Sequence, residues 1–161
     1  MNIIMVNESN VELFLEVLKE AASWLISIEK PMWNPESLTV QKLLQSYKLD
    51  ELRLCYDNNN LIGAFVLQWY DPLFWSELKE FESGYLHKLA IRNEYRGKGY
   101  GKELIASAEH ICKACGIKWL RLNCGTFRPN LRKFYESVGF RMLDRVFIDN
   151  RDQVRYVKEL I

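Results

Sequence analysis

The sequence has few cysteines, almost no net charge and no long apolar run, and each of these absences excludes a class of protein. Its 4 cysteines are scattered and too few for a secreted disulfide scaffold, so a reducing compartment is favoured. A formal net charge of +1 argues against a nucleic-acid-binding protein that depends on a strong basic field. No stretch approaches the roughly 18 apolar residues of a membrane span, and the first residues lack the pattern of a signal peptide. We therefore expect a cytoplasmic protein with neither nucleic acid nor membrane as a partner.

What is present suffices for one hydrophobic core. The chain has 161 residues, of which 48% are hydrophobic and 27% charged, as in ordinary globular proteins. This length favours a single domain over two half-sized ones. We expect one domain that covers residues 1–161.

The spacing of apolar residues predicts the element order β-α-α-β-β-β-α-β-α-β-β. Ser9 and Glu12 form a capping-box pattern before the first helix, which Lys30-Pro31 should end. A turn-forming run, 57–60, lies between two strand-like segments and predicts a hairpin, and the Asp149-Asn150 turn is expected between the two terminal strands. This order implies a mixed sheet covered by helices, of the α/β or α+β class.

The segment from Arg96 to Lys102, RGKGYGK, is the strongest functional signal. It lies between a predicted strand and a predicted helix, and its alternating glycines let the backbone approach a bulky anion. The helix start adds unpaired N–H groups and the positive end of the helix dipole, which suits a pyrophosphate. The glycine spacing matches neither a Walker A loop nor a Rossmann fingerprint. The alternative is a glycine-rich turn with a solvated basic face.

Two blocks of the sequence resemble motifs of the GNAT superfamily of N-acetyltransferases. The stretch YLHKLAIRNEYRGKGYGKELI resembles motif A, whose signature R/Q-x-x-G-x-G/A is matched by Arg96, Gly99 and Gly101. The stretch LRKFYESVGF resembles motif B. The resemblance covers nearly the whole chain and implies a mostly antiparallel central sheet flanked by helices. It also implies direct acetyl transfer from acetyl-CoA, the cosubstrate, to a primary amine in a ternary complex without a metal.

The resemblance further implies where CoA binds. In the family, the strand before the loop separates from its neighbour and the pantetheine arm lies in the gap, while the loop holds the pyrophosphate. Arg128 stands where the family often carries an asparagine that contacts CoA, so its contact is a substitute prediction. The implied cofactor-binding residues are Leu89, Ala90, Ile91, Arg96, Gly97, Lys98, Gly99, Tyr100, Gly101, Lys102 and Arg128.

The tyrosine of motif B, Tyr135, is implied to protonate the departing CoA thiolate. Its alternative role is to fill the buried face of its helix, and the two roles are compatible. The amine must also lose a proton, for which His87, on the strand that should line the cleft, and Glu82, just before it, are the candidate bases.

Large rings and carboxylates are concentrated in the segments that select the acceptor in such enzymes. We expect an aromatic, acidic mouth that admits a cationic small amine, with Trp33, Asp71, Trp75 and Tyr85 as substrate residues. The alternative is that these rings fill the core. A protein or peptide amine as acceptor, and a catalytically inactive acyl-CoA sensor, both stay open. Because many members of the superfamily dimerise, a homodimer also stays open.

The pattern Cys112-x-x-Cys115 could indicate redox or zinc chemistry, but a second pair of ligands is absent. Both cysteines fall on the apolar stripe near a helix end, so we expect them in the core. His110 is expected on the helix surface.

Overall fold

A computed structural model describes all 161 residues and shows the predicted order of strands and helices. The strands are β1 (Asn2–Met5), β2 (Leu52–Asp57), β3 (Asn60–Gln68), β4 (Gly84–Ile91), β5 (Trp119–Gly125), β6 (Arg141–Ile148) and β7 (Arg151–Glu159). The helices are α1 (Val11–Ser27), α2 (Val40–Ser46), α3 (Tyr100–Ala114) and α4 (Pro129–Ser137).

The strands form one seven-stranded sheet in the order β1-β2-β3-β4-β5-β7-β6. The pairs β1–β2, β2–β3, β5–β7 and β6–β7 are antiparallel, whereas β4 and β5 are parallel and pair at Gly84↔Leu120 and Tyr85↔Arg121. The predicted fold class, a mixed and mostly antiparallel sheet with helices, is confirmed.

The chain divides into two compact units, neither of which is a continuous segment. The first contains residues 1–67 and 88–107, and the second contains residues 68–87 and 108–161. The expectation of one domain over residues 1–161 stays a prediction. No helix is both long enough and apolar enough to cross a membrane.

The core of the first unit is built on the apolar stripe of α1. Phe14, Val17 and Leu18 are fully buried at the helical spacing that the sequence shows. They belong to one cluster with Leu54 and Val66 of the sheet. The cluster also contains Ala90 of β4, the strand that leads into the glycine loop.

The start and end of α1 differ from the sequence prediction. The helix begins after Asn10, and no side chain caps it. The Ser9 backbone N–H and hydroxyl both donate to Asn7 Oδ1, at 2.9 and 2.6 Å, so this local turn uses the serine that the capping box would need. At the other end the helix stops at Ser27, and Glu29 adopts a φ of 59° before the predicted proline stop is reached.

Both predicted hairpin turns contain residues in the left-handed region. Asn58 has a φ of 53° between β2 and β3, and Asp149 and Asn150 have φ values of 53° and 58° between β6 and β7. Asparagine and aspartate tolerate this conformation better than other residues with side chains. The turn chemistry thus explains why these strand pairs were predictable.

Gly63 lets β3 approach the backbone of β4. A Cβ added at Gly63 would lie 2.2 Å from the carbonyl oxygen of Ala90, which is a backbone atom that cannot turn aside. We therefore expect Gly63→Ala to lower the free energy of unfolding by about 1–3 kcal/mol through overpacking. Urea denaturation measures this, with Glu16→Ala on the exposed face of α1 as a control that should change by less than about 0.5 kcal/mol. A Gly63→Ala protein as stable as the control would contradict the close approach.

Candidate functional site

The glycine loop lies open between β4 and α3. After β4, residues 93–95 form a single 3-10 turn, and α3 begins at Tyr100. Gly97 and Gly99 have φ values of 71° and 88°, and a Cβ on either glycine would meet no atom within 4 Å. Glycine is therefore needed here for the backbone conformation, and the space beside the backbone is free for a ligand.

The hydrogen bonds of the loop show which donors remain for an anion. The backbone N–H of Lys102 donates to the Gly99 carbonyl oxygen at 3.2 Å, so one predicted phosphate donor is already engaged. The N–H groups of the first helical residues, Tyr100 and Gly101, precede any possible i−4 partner within α3. The side chains of Lys98 and Lys102 are exposed and add positive charge.

Two arginines next to the loop contact α1. The guanidinium of Arg96 lies 3.7 Å from the centroid of the Trp24 ring, and it also donates to Asn93 Oδ1. Burial lowers the pKa of Arg96, and the charge of Glu20 partly offsets this. Arg92 Nε lies 3.1 Å from Glu20 Oε2. The signature arginine is thus placed to fix the loop on α1, while its role as a CoA ligand stays a prediction.

Tyr100 connects the start of α3 to the hairpin of β2 and β3. Its hydroxyl donates to Asp57 Oδ2 at 2.8 Å, and its ring packs edge-on against Tyr95 at 5.7 Å. These contacts hold the first turn of α3 in place, so its N–H groups have a fixed direction.

The residues of β4 before the loop alternate in burial. Leu89 and Ile91 are half-buried and Ala90 is buried. The predicted contacts with the pantetheine arm come from the backbone of β4, so they do not depend on exposed side chains. Lys88, within β4, has a φ of 50°. A non-glycine residue in this region is uncommon and is enriched near functional sites.

Tyr135 is buried on α4 within an aromatic cluster. Its ring lies 5.9 Å from Phe140 and 6.3 Å from Tyr156, between ring centroids. Burial, with a smaller contribution from Cys124, raises the pKa of Tyr135, so the phenol is protonated at neutral pH.

Arg128, the predicted substitute contact to CoA, precedes α4 without capping it. Its side chain lies over Gly125, where an added Cβ would stand 3.3 Å from it.

His87 and Asp71, a predicted base and a predicted substrate residue, lie together. His87 Nε2 is 3.0 Å from Asp71 Oδ2, and the two side chains are 15% and 7% exposed. Burial alone would raise the pKa of Asp71, but His87 and the backbone amides of Phe74 and Leu73 bring it below its usual value. Glu82, the other candidate base, is exposed, and it borders a shallow surface depression together with Ser83 and other residues.

The rings predicted to form an acceptor mouth have different environments. Trp75 and Tyr85 are fully buried, 6.1 Å apart, in a small cluster that also contains Phe74. The guanidinium groups of Arg121 and Arg155 lie 5.1 and 4.5 Å from the Trp75 ring. These two rings therefore occupy core positions, which is the alternative stated for them in the sequence prediction.

Trp33 is half-buried, and Lys88 Nζ lies 5.0 Å from its ring centroid. A cation of the chain itself thus already contacts the ring. The role of these residues in binding an acceptor stays a prediction.

The cysteine prediction is half wrong. Cys112 is buried as expected, but Cys115 is exposed because it lies just past the end of α3, next to Gly116. Burial raises the pKa of the Cys112 thiol to about 12. No group of three or more histidine, cysteine, aspartate or glutamate side chains is arranged to hold a metal ion. His110 is exposed, as predicted.

Comparison with known proteins places this arrangement in a family. The model of the acetyltransferase (GNAT) family matches residues 18–140. The uncharacterized N-acetyltransferase YycN of Bacillus subtilis is 31% identical over 65 residues, which are 40% of this chain and 42% of that protein. N-alpha-acetyltransferase 30 of Schizosaccharomyces pombe is 27% identical over 133 residues, which are 81% of this chain and 85% of that protein.

A solved structure has the same fold. PaiA N-acetyltransferase from Thermoplasma acidophilum, in complex with coenzyme A, superposes with a TM-score of 0.71 at 21% identity, and the match covers 98% of both chains.

Proposed function

This chain belongs to the acetyltransferase (GNAT) family, and from that premise we propose that it transfers the acetyl group of acetyl-CoA directly to a primary amine. The observation that carries the proposal is the open loop at Gly97 and Gly99, followed at once by the start of α3. Its backbone N–H groups and the exposed side chains of Lys98 and Lys102 suit the CoA pyrophosphate. The coenzyme A complex of PaiA supports the same ligand class.

In the proposed reaction each site residue has one role. The backbone of Leu89 and Ile91 binds the pantetheine arm, and the loop from Gly97 to Gly101 binds the pyrophosphate. Tyr135, which burial keeps protonated, donates to the departing thiolate. The CoA thiolate is a stable leaving group because the ordinary pKa of a thiol is about 8.5, so a weakly acidic phenol, whose pKa burial raises further, need only donate its proton as the C–S bond breaks.

We propose a cationic small molecule as the acceptor. The acidic side chains Glu80 and Glu82 are exposed on either side of Phe81, a residue that is itself 60% exposed, and this combination attracts an ammonium group. An α-amine of a peptide is the second candidate, because the relative from Schizosaccharomyces pombe is named an N-alpha-acetyltransferase. We propose that the protein is cytoplasmic.

A thiol-release assay with a panel of amines tests the proposed function. The protein is incubated with acetyl-CoA and either a linear diamine, a neutral alkylamine with one amine, an amino acid, or a peptide with a free or blocked α-amine. We expect the fastest release of free CoA with the diamine. A preference for the free peptide over its blocked form would favour the second candidate. Binding of acetyl-CoA without release with any amine would instead indicate an acyl-CoA sensor.

A further inference from the structure

The geometry points to Asp71 as a positioning residue that orients His87 to accept the proton of the amine, an inference that rests on the proposed acetyl transfer. The pair is formed by residues 16 positions apart in sequence, and the His87 Nε2 to Asp71 Oδ2 distance is 3.0 Å. Nothing in the sequence pattern links the two residues. Their contact arises because the segment between β3 and β4, residues 69–83, brings Asp71 next to His87 of β4.

Asp71 is held rigidly by its own turn. Its Oδ1 accepts from the backbone N–H of Phe74 at 3.3 Å, and its carbonyl oxygen accepts from the N–H of Trp75 at 3.0 Å. The side chain is 7% exposed, so little of the carboxylate is in contact with solvent. Since Oδ1 is used by the turn, Oδ2 is the oxygen that faces His87.

An ionised carboxylate selects one tautomer of the imidazole. The pKa of Asp71 is lowered despite burial, so the carboxylate is charged at neutral pH. At 3.0 Å from Nε2, this carboxylate is placed to accept a proton from that nitrogen, and an imidazole with its single proton on Nε2 carries its lone pair on Nδ1. A general base requires such a nitrogen with a fixed direction.

The position of His87 on β4 suits this role better than that of Glu82. His87 directly precedes Lys88, where the backbone leaves the extended region, and it lies two residues before Leu89, a predicted pantetheine contact. Glu82 is exposed in the loop before β4. A base with a buried partner is already oriented before the substrate arrives, whereas an exposed glutamate must first lose its rotamer freedom.

The proton balance of the step is complete. The His87 imidazole takes one proton from the substrate ammonium and later releases it to water. The freed nitrogen attacks the thioester carbon, a C–N bond forms, and the C–S bond breaks. Tyr135 protonates the leaving sulfur, and the second proton of the nitrogen restores the phenol through solvent.

The experiment exploits the fact that the chain has only 2 histidines. His110→Asn leaves His87 as the only imidazole, and long-range ¹H–¹⁵N spectra of this protein report its tautomer at neutral pH. We expect the proton on Nε2. Asp71→Asn keeps an oxygen for the Phe74 amide but presents an NH₂ group to Nε2, so we expect the proton to move to Nδ1.

Activity with the best amine of the panel is measured in parallel. For Asp71→Asn and His87→Gln we expect kcat to fall on the order of 10²-fold, while the KM for acetyl-CoA stays within about twofold. His110→Asn, at an exposed position of α3, is the control and should keep kcat. Should Asp71→Asn not fold, His87→Gln and the tautomer of the His110→Asn protein still decide the question.

The proposal is overturned if His87 carries its proton on Nδ1 in the His110→Asn protein. It is also overturned if Asp71→Asn or His87→Gln retains full kcat in an enzyme that is active. An unmodified protein that releases no CoA with any amine would overturn the proposed acetyl transfer and the base assignment together.

Discussion

A dissociation constant for CoA that rises on the order of 10–100-fold is the expected result of Gly99→Val. Gly99 has a φ of 88°, which a β-branched residue adopts only at a cost of about 1–3 kcal/mol. A Cβ at this position meets no atom within 4 Å, so the cost is conformational and not steric. The exposed loop can relieve the strain by changing its backbone, and the N–H groups then no longer converge on the pyrophosphate.

Calorimetric titration with CoA measures this effect, and urea denaturation of the same variant separates it from unfolding. Because the loop can rearrange at the surface, we expect stability to change much less than affinity. Lys98→Ala is the control in the same loop, since it removes an exposed side chain and keeps the backbone. It should weaken binding only a few-fold, because exposed charge contacts are worth about 0–1 kcal/mol. Equal affinities of Gly99→Val and the unmodified protein would exclude the loop as the pyrophosphate site.

Loss of catalysis without loss of acetyl-CoA binding is the expected result of Tyr135→Phe. The substitution removes only the hydroxyl, so the ring contacts with Phe140 and Tyr156 are retained. If Tyr135 protonates the thiolate, kcat falls by about 10²–10⁴-fold, whereas the KM for acetyl-CoA stays nearly constant. The thiol-release assay with the preferred amine provides both values.

Tyr156→Phe is the matched control because it removes a hydroxyl from the same aromatic cluster. That hydroxyl donates to Glu136 Oε1 at 2.8 Å and accepts from Arg132 Nε at 3.0 Å. Its loss should lower stability by about 1–3 kcal/mol, because charged partners lose a hydrogen bond, and should leave kcat nearly unchanged. A Tyr135→Phe enzyme with full kcat would show that Tyr135 serves packing alone.

The order of the elements was predictable because local patterns agree with the fold. The apolar stripe of α1 reports its buried face directly, and the residues of the two hairpin turns favour the left-handed conformations they adopt. The glycine loop was recognisable for the same reason, since its conformation depends on residues within one short segment. Such features require no knowledge of distant partners.

Tertiary contacts decide the features that the sequence could not predict. The ring of Trp75 is as apolar in a core as in an acceptor mouth, and only the packing of Tyr85 and Phe74 around it distinguishes the two. From the sequence, Asp71 is predicted to be an acidic residue of the acceptor site, whereas in the fold its carboxylate lies against His87. The stacking of Arg96 on Trp24 likewise joins segments far apart in the chain, with no local signal for the pair.

Amide chemical shifts during a titration with CoA test the central claim most directly. Gly97, Gly99 and Gly101 have backbone N–H signals in a region of the ¹H–¹⁵N spectrum that glycines largely occupy alone. We expect the N–H signals of residues 97–101 to shift most, with smaller changes at Leu89 and Ile91. Saturable binding of CoA that leaves these glycine signals in place would contradict the assignment of the loop as the pyrophosphate site.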